Sequence, residues 1–301
     1  MTTRVSSNAS VGLISWDLAK SSQKLTAIQD QLASGKRIRK ASDDPSGTAS
    51  AMGNRAQIRR TEQQTANATD ATGWINLTDS ALQDVQTQLA VAKERAVNTI
   101  NGSLDANARE GIALSVEGIR NAMLALANTT YQNRSVFAGT VAAGTPTYDA
   151  SGIYQGDAGS VRRTIADGVT VQVNTNAPDI FGARDNTNPM DGDVFQVLEG
   201  LAAAVRNNDT AGVSNAMGKL ETAMSRVAVT QTRVGAMSEQ IESTVNRNDA
   251  MLIDVQDRLS TIEDVDPAQA IIDFRVQENA YQAALAVTAK VIQPSLLDFL
   301  R

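Results

Sequence analysis

The chain has 301 residues, a formal net charge of −6, and neither cysteine nor histidine. Those absences exclude disulfides, thiolate nucleophiles, imidazole bases and the common zinc ligand sets, and the acidic balance argues against a general nucleic-acid binder. Aromatic residues make up 4% of the chain, too few to anchor an ordinary globular core and closer to the usage of long helices packed at short distance.

The first 33 residues place Val11, Ile14, Leu18, Leu25, Ile28 and Leu32 on one narrow helix face, with Ser21 the single polar member. The steps alternate three and four, which is the coiled-coil stripe. The stretch Ser34–Gly47, SGKRIRKASDDPSG, then crowds a basic run, an acidic pair and a proline into fourteen residues. Lys36, Arg37, Arg39 and Lys40 read as cations at the C-terminal end of the first helix, where the helix dipole favours them. Asp44 before Pro45 reads as an N-cap with proline at the first helical position.

A second stripe runs Ile75, Thr78, Leu82, Val85, Leu89, Ala92, Ala96, and a third runs Ile112, Val116, Ile119, Met123, Leu126. Between them NGSLDANARE reads as a turn and a helix start, with Asp105 as candidate N-cap. From about Phe137 the texture becomes rich in Gly, Thr and Asp, and Asp167-Gly168 between two β-prone runs predicts a two-residue hairpin. Helical spacing returns at Phe195, Leu198, Ala202 and Val205. After a turn at Asp209 a stripe holds from Val213 to Ile262 without a slip, which implies a rod of roughly 75 Å. Pro267 ends it. The last segment carries Phe274, Tyr281, Leu285, Ile292, Leu296 and Phe299, with a second row of Ala280, Ala284, Val287 and Val291 widening its apolar face.

The two ends read as partners. Residues 1–60 hold ten basic and four acidic side chains, and residues 246–301 hold five basic and nine acidic. Charge of opposite sign favours joining them. The expected architecture is mainly α, an elongated helical bundle or coiled coil formed by the N- and C-terminal segments, with a small inserted β-rich domain. Its divisions are an N-terminal assembly helix (1–42), the first half of a long bundle (43–137), a β-rich outer insert (138–192), the second half of the bundle (193–266) and a C-terminal assembly helix (267–301) that joins 1–42 in an inner domain. The assembly faces are Val11, Ile14, Leu18, Leu25, Ile28 and Leu32 on one side and Phe274, Tyr281, Leu285, Ile292, Leu296 and Phe299 on the other. Asp43, Asp44, Pro45 and Gly47 form the joint.

Several chemical sites fail on spacing. A Walker A loop needs glycine at 30 and Ser or Thr at 37, where the chain has Asp30 and Arg37. Asp185–Asp193 departs from a calcium loop at Thr187 and Pro189 and reads as a polar linker. No catalytic, cofactor or metal constellation remains. No apolar run approaches the roughly 18 residues of a membrane span, and the N-terminus lacks the pattern of a cleavable signal peptide.

The motifs LASGKRIRKASDDPSG (Leu32–Gly47), NRSVFAGT (Asn133–Thr140), YQGD followed by TNAPDIFG (Tyr154–Gly182), QTRVGAM (Gln231–Met237) and ENAYQAALAVTAKVIQPSLLDFLR (Glu278–Arg301) resemble the bacterial flagellin-type axial proteins. Within that family the FAGT and YQGD pair resembles the hook–filament junction branch, while the closing SLLDFLR is also like filament flagellin. The resemblance implies a non-enzymatic structural protein without cofactors, exported through the flagellar type III apparatus. It implies a ring of copies outside the cell, set between hook-associated protein 1 and flagellin, and a cytoplasmic export chaperone; a filament subunit is the alternative. It implies neither nucleic acid nor membrane insertion.

Overall fold

A computed structural model describes residues 2–101, 104–184 and 192–292, with side chains described over 12–100, 104–184 and 192–289. The described elements are α1 (Thr2–Ser34), α2 (Pro45–Asn101), α3 (Ala106–Ala127), β1 (Thr130–Tyr131), β2 (Arg134–Ser135), β3 (Arg162–Ala166), β4 (Val169–Gln172), α4 (Ala177–Phe181), α5 (Val194–Arg206), α6 (Thr210–Glu263) and α7 (Pro267–Ile292). Two compact units result, one from Met1–Arg60 with Met251–Arg301 and one from Thr61–Ala250. The long helices α2 and α6 contribute to both. No described helix is long and apolar enough to cross a membrane.

Unit 61–250 owns the core. The whole α2 stripe from Ile75 to Ala96 is buried, including Thr78, whose hydroxyl donates to the Trp74 carbonyl at 2.9 Å and so costs nothing in lost hydrogen bonds. Facing it are Val116, Ile119 and Met123 of α3, Leu198, Leu201 and Val205 of α5, and Val213, Leu220, Val227, Val234 and Ile241 of α6. Helix starts follow the sequence signals. Asp105 accepts from the Ala108 N–H at 2.7 Å. Asp193 and Gln196 form a reciprocal capping box on α5, and Asp209 accepts from the Gly212 N–H at 3.0 Å.

The 130–184 segment holds two separate two-stranded antiparallel sheets. In β3–β4 the turn is Asp167-Gly168, with Gly168 at φ +71°. In β1–β2, Gln132 and Asn133 both take positive φ, a primed turn that the sequence reading did not single out because neither residue is glycine. The rest is held by side chains rather than strands. The Asp157 carboxylate accepts from the Thr140 N–H (2.7 Å), the Thr140 hydroxyl (2.7 Å) and the Gly159 N–H (2.9 Å), which bonds YQGD directly to FAGT. Gly139 turns at φ +78° against Asp157, where a Cβ would collide. The Phe137 carbonyl accepts from the Ala177 N–H at 2.9 Å and brings in TNAPDIFG. Four of the chain's few aromatics, Phe137, Tyr148, Phe181 and Phe195, cluster at centroid distances of 4.8 to 6.0 Å, edge to face except for the stacked Phe181–Phe195 pair.

Leu82 is fully buried in this core. Leu82→Ala should lower the unfolding free energy by about 2–5 kcal/mol, measured by denaturant titration. Leu13→Ala, whose side chain is exposed, should change it by less than about 0.5 kcal/mol.

Candidate functional site: the joint and the paired chain ends

The stretch 35–47 is a clasp between the two ends of the chain. Helix α1 stops when Gly35 turns left-handed at φ +68°. The cations therefore lie beyond the helix, and its last turn contains no basic residue, which corrects the expectation that they cap its C-terminus. Lys36 instead forms an antiparallel bridge with Asp264. The Arg37 N–H donates to the Glu263 carbonyl at 2.6 Å and the Val265 N–H to the Gly35 carbonyl at 3.0 Å. Lys36 and Asp264 are thus a non-hydrogen-bonded cross-strand pair, the closer of the two antiparallel spacings.

Side chains reinforce the bridge. Glu263 is buried, and its carboxylate meets Arg55 Nη2 at 2.8 Å and Lys36 Nζ at 3.7 Å. Lys36 also pairs with Asp264, whose second oxygen accepts from the Ser260 hydroxyl at 2.6 Å. Arg37 donates to the Ile262 carbonyl at 2.6 Å, and Arg39 pairs with Asp30 at 2.6 Å. Three of the four cations in the basic run are therefore directed into the chain itself. A nucleic-acid patch would need them turned outward.

Two Asp-Pro steps restart the helices. Asp44 Oδ1 accepts from the Gly47 N–H at 2.8 Å with Pro45 at the first helical position, the predicted cap. Gly47 is required because a Cβ there would strike Asp44 and Ile38. Asp266 repeats the device before Pro267, accepting from the Ala268 N–H at 2.9 Å. Asp43 closes the loop by accepting from the N–H groups of Lys40 (2.9 Å) and Arg39 (3.1 Å).

These hydrogen bonds hold three carboxyls below their ordinary 3.8. Backbone N–H donors act on Asp43 and Asp44, and the Lys36 ammonium acts on Asp264. A folded pKa below the unfolded one gives stability that is present above the unfolded value and lost as pH falls through the folded one.

Beyond the clasp, α1 and α7 pack on each other. Ile14, Leu18, Ser21, Leu25, Ile28 and Leu32 are each half-buried and none is fully buried. Ser21, the gap in the stripe, is matched by Gln277, which donates to its hydroxyl at 2.7 Å. On α7 the covered row is Ala270, Phe274, Gln277, Tyr281, Ala284 and Thr288. Phe274 and Tyr281 belong to it, whereas Leu285 stands 42% exposed at its side. The side chains of Val11 and Ile292, and Leu296 and Phe299 altogether, lie outside the described residues, as do Thr187 and Pro189. Leu13, Trp16, Met52, Met251, Ile253, Ile271, Ile272, Val276, Leu285 and Val287 are all exposed in this unit, against Ile100, Leu114, Ile153 and Val229 in the other. Sequence reasoning missed Glu263, Arg55 and Gln277. A lone acid and a lone glutamine on long helices carry no periodic signal.

Glu263→Gln should weaken the joint by about 1–2 kcal/mol, the scale of a charge-assisted hydrogen bond with partly exposed partners, seen as faster amide exchange at Arg37 and Val265 with 61–250 unaffected. On acidification the amides of Lys40 and Gly47, corrected for intrinsic rate, should lose protection only below about pH 4. Loss already at pH 6 would contradict the carboxylate account.

Residues 5–142 match the model of the bacterial flagellin N-terminal helical region, and residues 217–300 match that of the bacterial flagellin C-terminal helical region. The flagellar hook-associated protein 3 of Escherichia coli is 26% identical over 85% of this chain and 86% of its own. The flagellar filament 33 kDa core protein of Treponema phagedenis is also 26% identical, over 90% of this chain and 91% of its own. In fold, the crystal structure of Bacillus cereus FlgL aligns with a TM-score of 0.60 at 19% identity, covering 69% of this chain and 99% of that one.

Proposed function

Because the chain belongs to the flagellin family of bacterial flagellar axial proteins, we propose that it is the structural subunit of the hook–filament junction. It is not an enzyme; its work is to present surfaces. Copies form a thin ring outside the cell, with hook-associated protein 1 on one side and flagellin on the other. A cytoplasmic chaperone shields the C-terminal helix before export. In this reading segments 1–42 and 267–301 form the inner layer, 43–137 with 193–266 the next, and 138–192 faces outward.

The observation that carries the proposal is the uneven finish of the two units. Unit 61–250 buries most of its stripe positions fully, with members such as Ile112, Leu126, Met217 and Met224 half-buried against the core. In the other unit the α1 stripe stays half-buried, and ten large apolar side chains lie open beside it. Apolar exposure of that extent marks a surface that is completed by association. The clasp at Lys36–Asp264 stays closed during association, so that α1 and α7 are offered together.

One observation favours a second reading, a filament subunit. Filament proteins cover as much of the chain, at the same identity, as the hook-associated ones do. A deletion strain separates the two. The junction reading expects hooks without filaments and flagellin shed into the medium, whereas the filament reading expects no flagellin-like product to be shed. In the purified chain, limited proteolysis should trim roughly the first 40 and last 35 residues before it cuts the described helices of 61–250. Cleavage within 61–250 at the same rate would contradict the division of labour between the units.

A further inference from the structure

Helix α6 carries Lys219, Arg226 and Arg233 at intervals of seven residues. Seven residues is close to two turns, so the three cations share one face. At Arg226 this face opens into a cleft lined by Pro178, Asp179, Ser225, Val229, Thr230 and Arg233. Arg226 is half-buried there, and among the described residues no carboxylate bonds to it. Its Nε and Nη2 reach only the carbonyls of Ile180 and Phe181, at 3.4 and 3.5 Å, the outer edge of hydrogen-bond range.

Elsewhere in the unit some guanidinium groups meet a carboxylate and others, such as Arg109 and Arg184, reach only backbone carbonyls among the described residues. Arg163 has Asp70 at 2.8 Å and Arg206 has Glu110 at 2.9 Å. Asp179, at the rim of the cleft, approaches Arg233 only to 3.9 Å and leaves Arg226 unserved. Burial lowers the pKa of the Arg226 guanidinium, the direction expected of a cation that has lost water without gaining an anion. Between the arginines Val229 stands 59% exposed. Two arginines around an open apolar side chain have the composition of an interface anchor rather than of a small-ion site.

We infer that this face of α6 receives a carboxylate-bearing surface of a second copy of the chain, with Arg226 as the bidentate anchor and Val229 covered by the contact. The inference rests on the reading that copies associate, and it adds the face by which neighbours meet outside the terminal helices. Charge identifies the counter-surface. Residues 61–92 of α2 contain Glu62, Asp70, Asp79 and Asp84 and no Lys or Arg. Asp70 is taken by Arg163, but Glu62 and Asp84 are exposed and fall within about 40° of each other around the helix; about 33 Å separates them along it, so one of the two at a time meets Arg226. A basic face on one helix and an acidic face on another make a heterologous contact. Each copy then keeps one face of each kind for the next, and the series can close as a ring.

A charge-swap mixture of full-length chains tests this. Chains carrying Arg226→Glu with Arg233→Glu, and chains carrying Glu62→Lys with Asp84→Lys, should each associate at least tenfold more weakly than the parent in sedimentation at low salt. Mixing the two should restore association, because each altered face then meets its opposite. Added salt should weaken the parent contact. Arg233→Glu alone, at an exposed position, gives the same test in part if the double variant does not fold. If the arginine variants associate like the parent, or if mixing restores nothing, the interface is wrong and the ring reading stands. A parent chain that stays monomeric at all concentrations overturns the ring reading and this contact with it.

Discussion

The bridge between Lys36 and Asp264 joins segments 228 residues apart, and the order of the chain ends depends on it. Two backbone hydrogen bonds flank it, a buried glutamate anchors it, and an Asp-Pro cap restarts a helix on each strand beyond it. Each contribution is modest alone. Together they hold α1 and α7 side by side although neither has a fully covered face. Closing a long loop costs only slightly more entropy than closing a short one, so a small set of well-placed bonds is enough.

The two units divide the physical work. In 61–250 most stripe positions are fully buried, and four of the sparse aromatics are gathered into one cluster. In the unit of the chain ends the same kind of stripe is left half-covered, and apolar side chains stand in the open. A family of proteins that works by stacking copies has a use for that difference. The first kind of unit gives each copy a fixed shape, and the second stays incomplete until neighbours arrive.

Much of this was legible in the sequence because it is periodic. The stripes from Ile75 to Ala96 and from Val213 to Ile262 map onto buried or half-buried positions of single helices, and Asp44 and Asp105 cap as expected, while Asp209, read only as a turn, caps α6 as well. What was not legible is pairwise. Gln277 answers Ser21, Glu263 holds Arg55 and Lys36, and Asp157 ties FAGT to YQGD through contacts that no local pattern announces. The basic run misled for the same reason. Its residues suit a helix end, but Gly35 stops the helix first, and Lys36 and Arg37 then find carboxylates and a carbonyl brought from the far end of the chain while Arg39 turns back to Asp30. The Gln132-Asn133 turn was hidden because two left-handed residues without glycine are uncommon.

The most direct test exploits the absence of cysteine. Lys36 and Asp264 face each other at the close antiparallel spacing, which suits a disulfide. Purified Lys36→Cys/Asp264→Cys chain should oxidise to a single intramolecular crosslink in nearly full yield, and the locked chain should associate into the same species as the parent. A chain that fails to crosslink, or a locked chain that associates only after reduction, would contradict the claim that the ends are clasped and stay clasped when copies assemble.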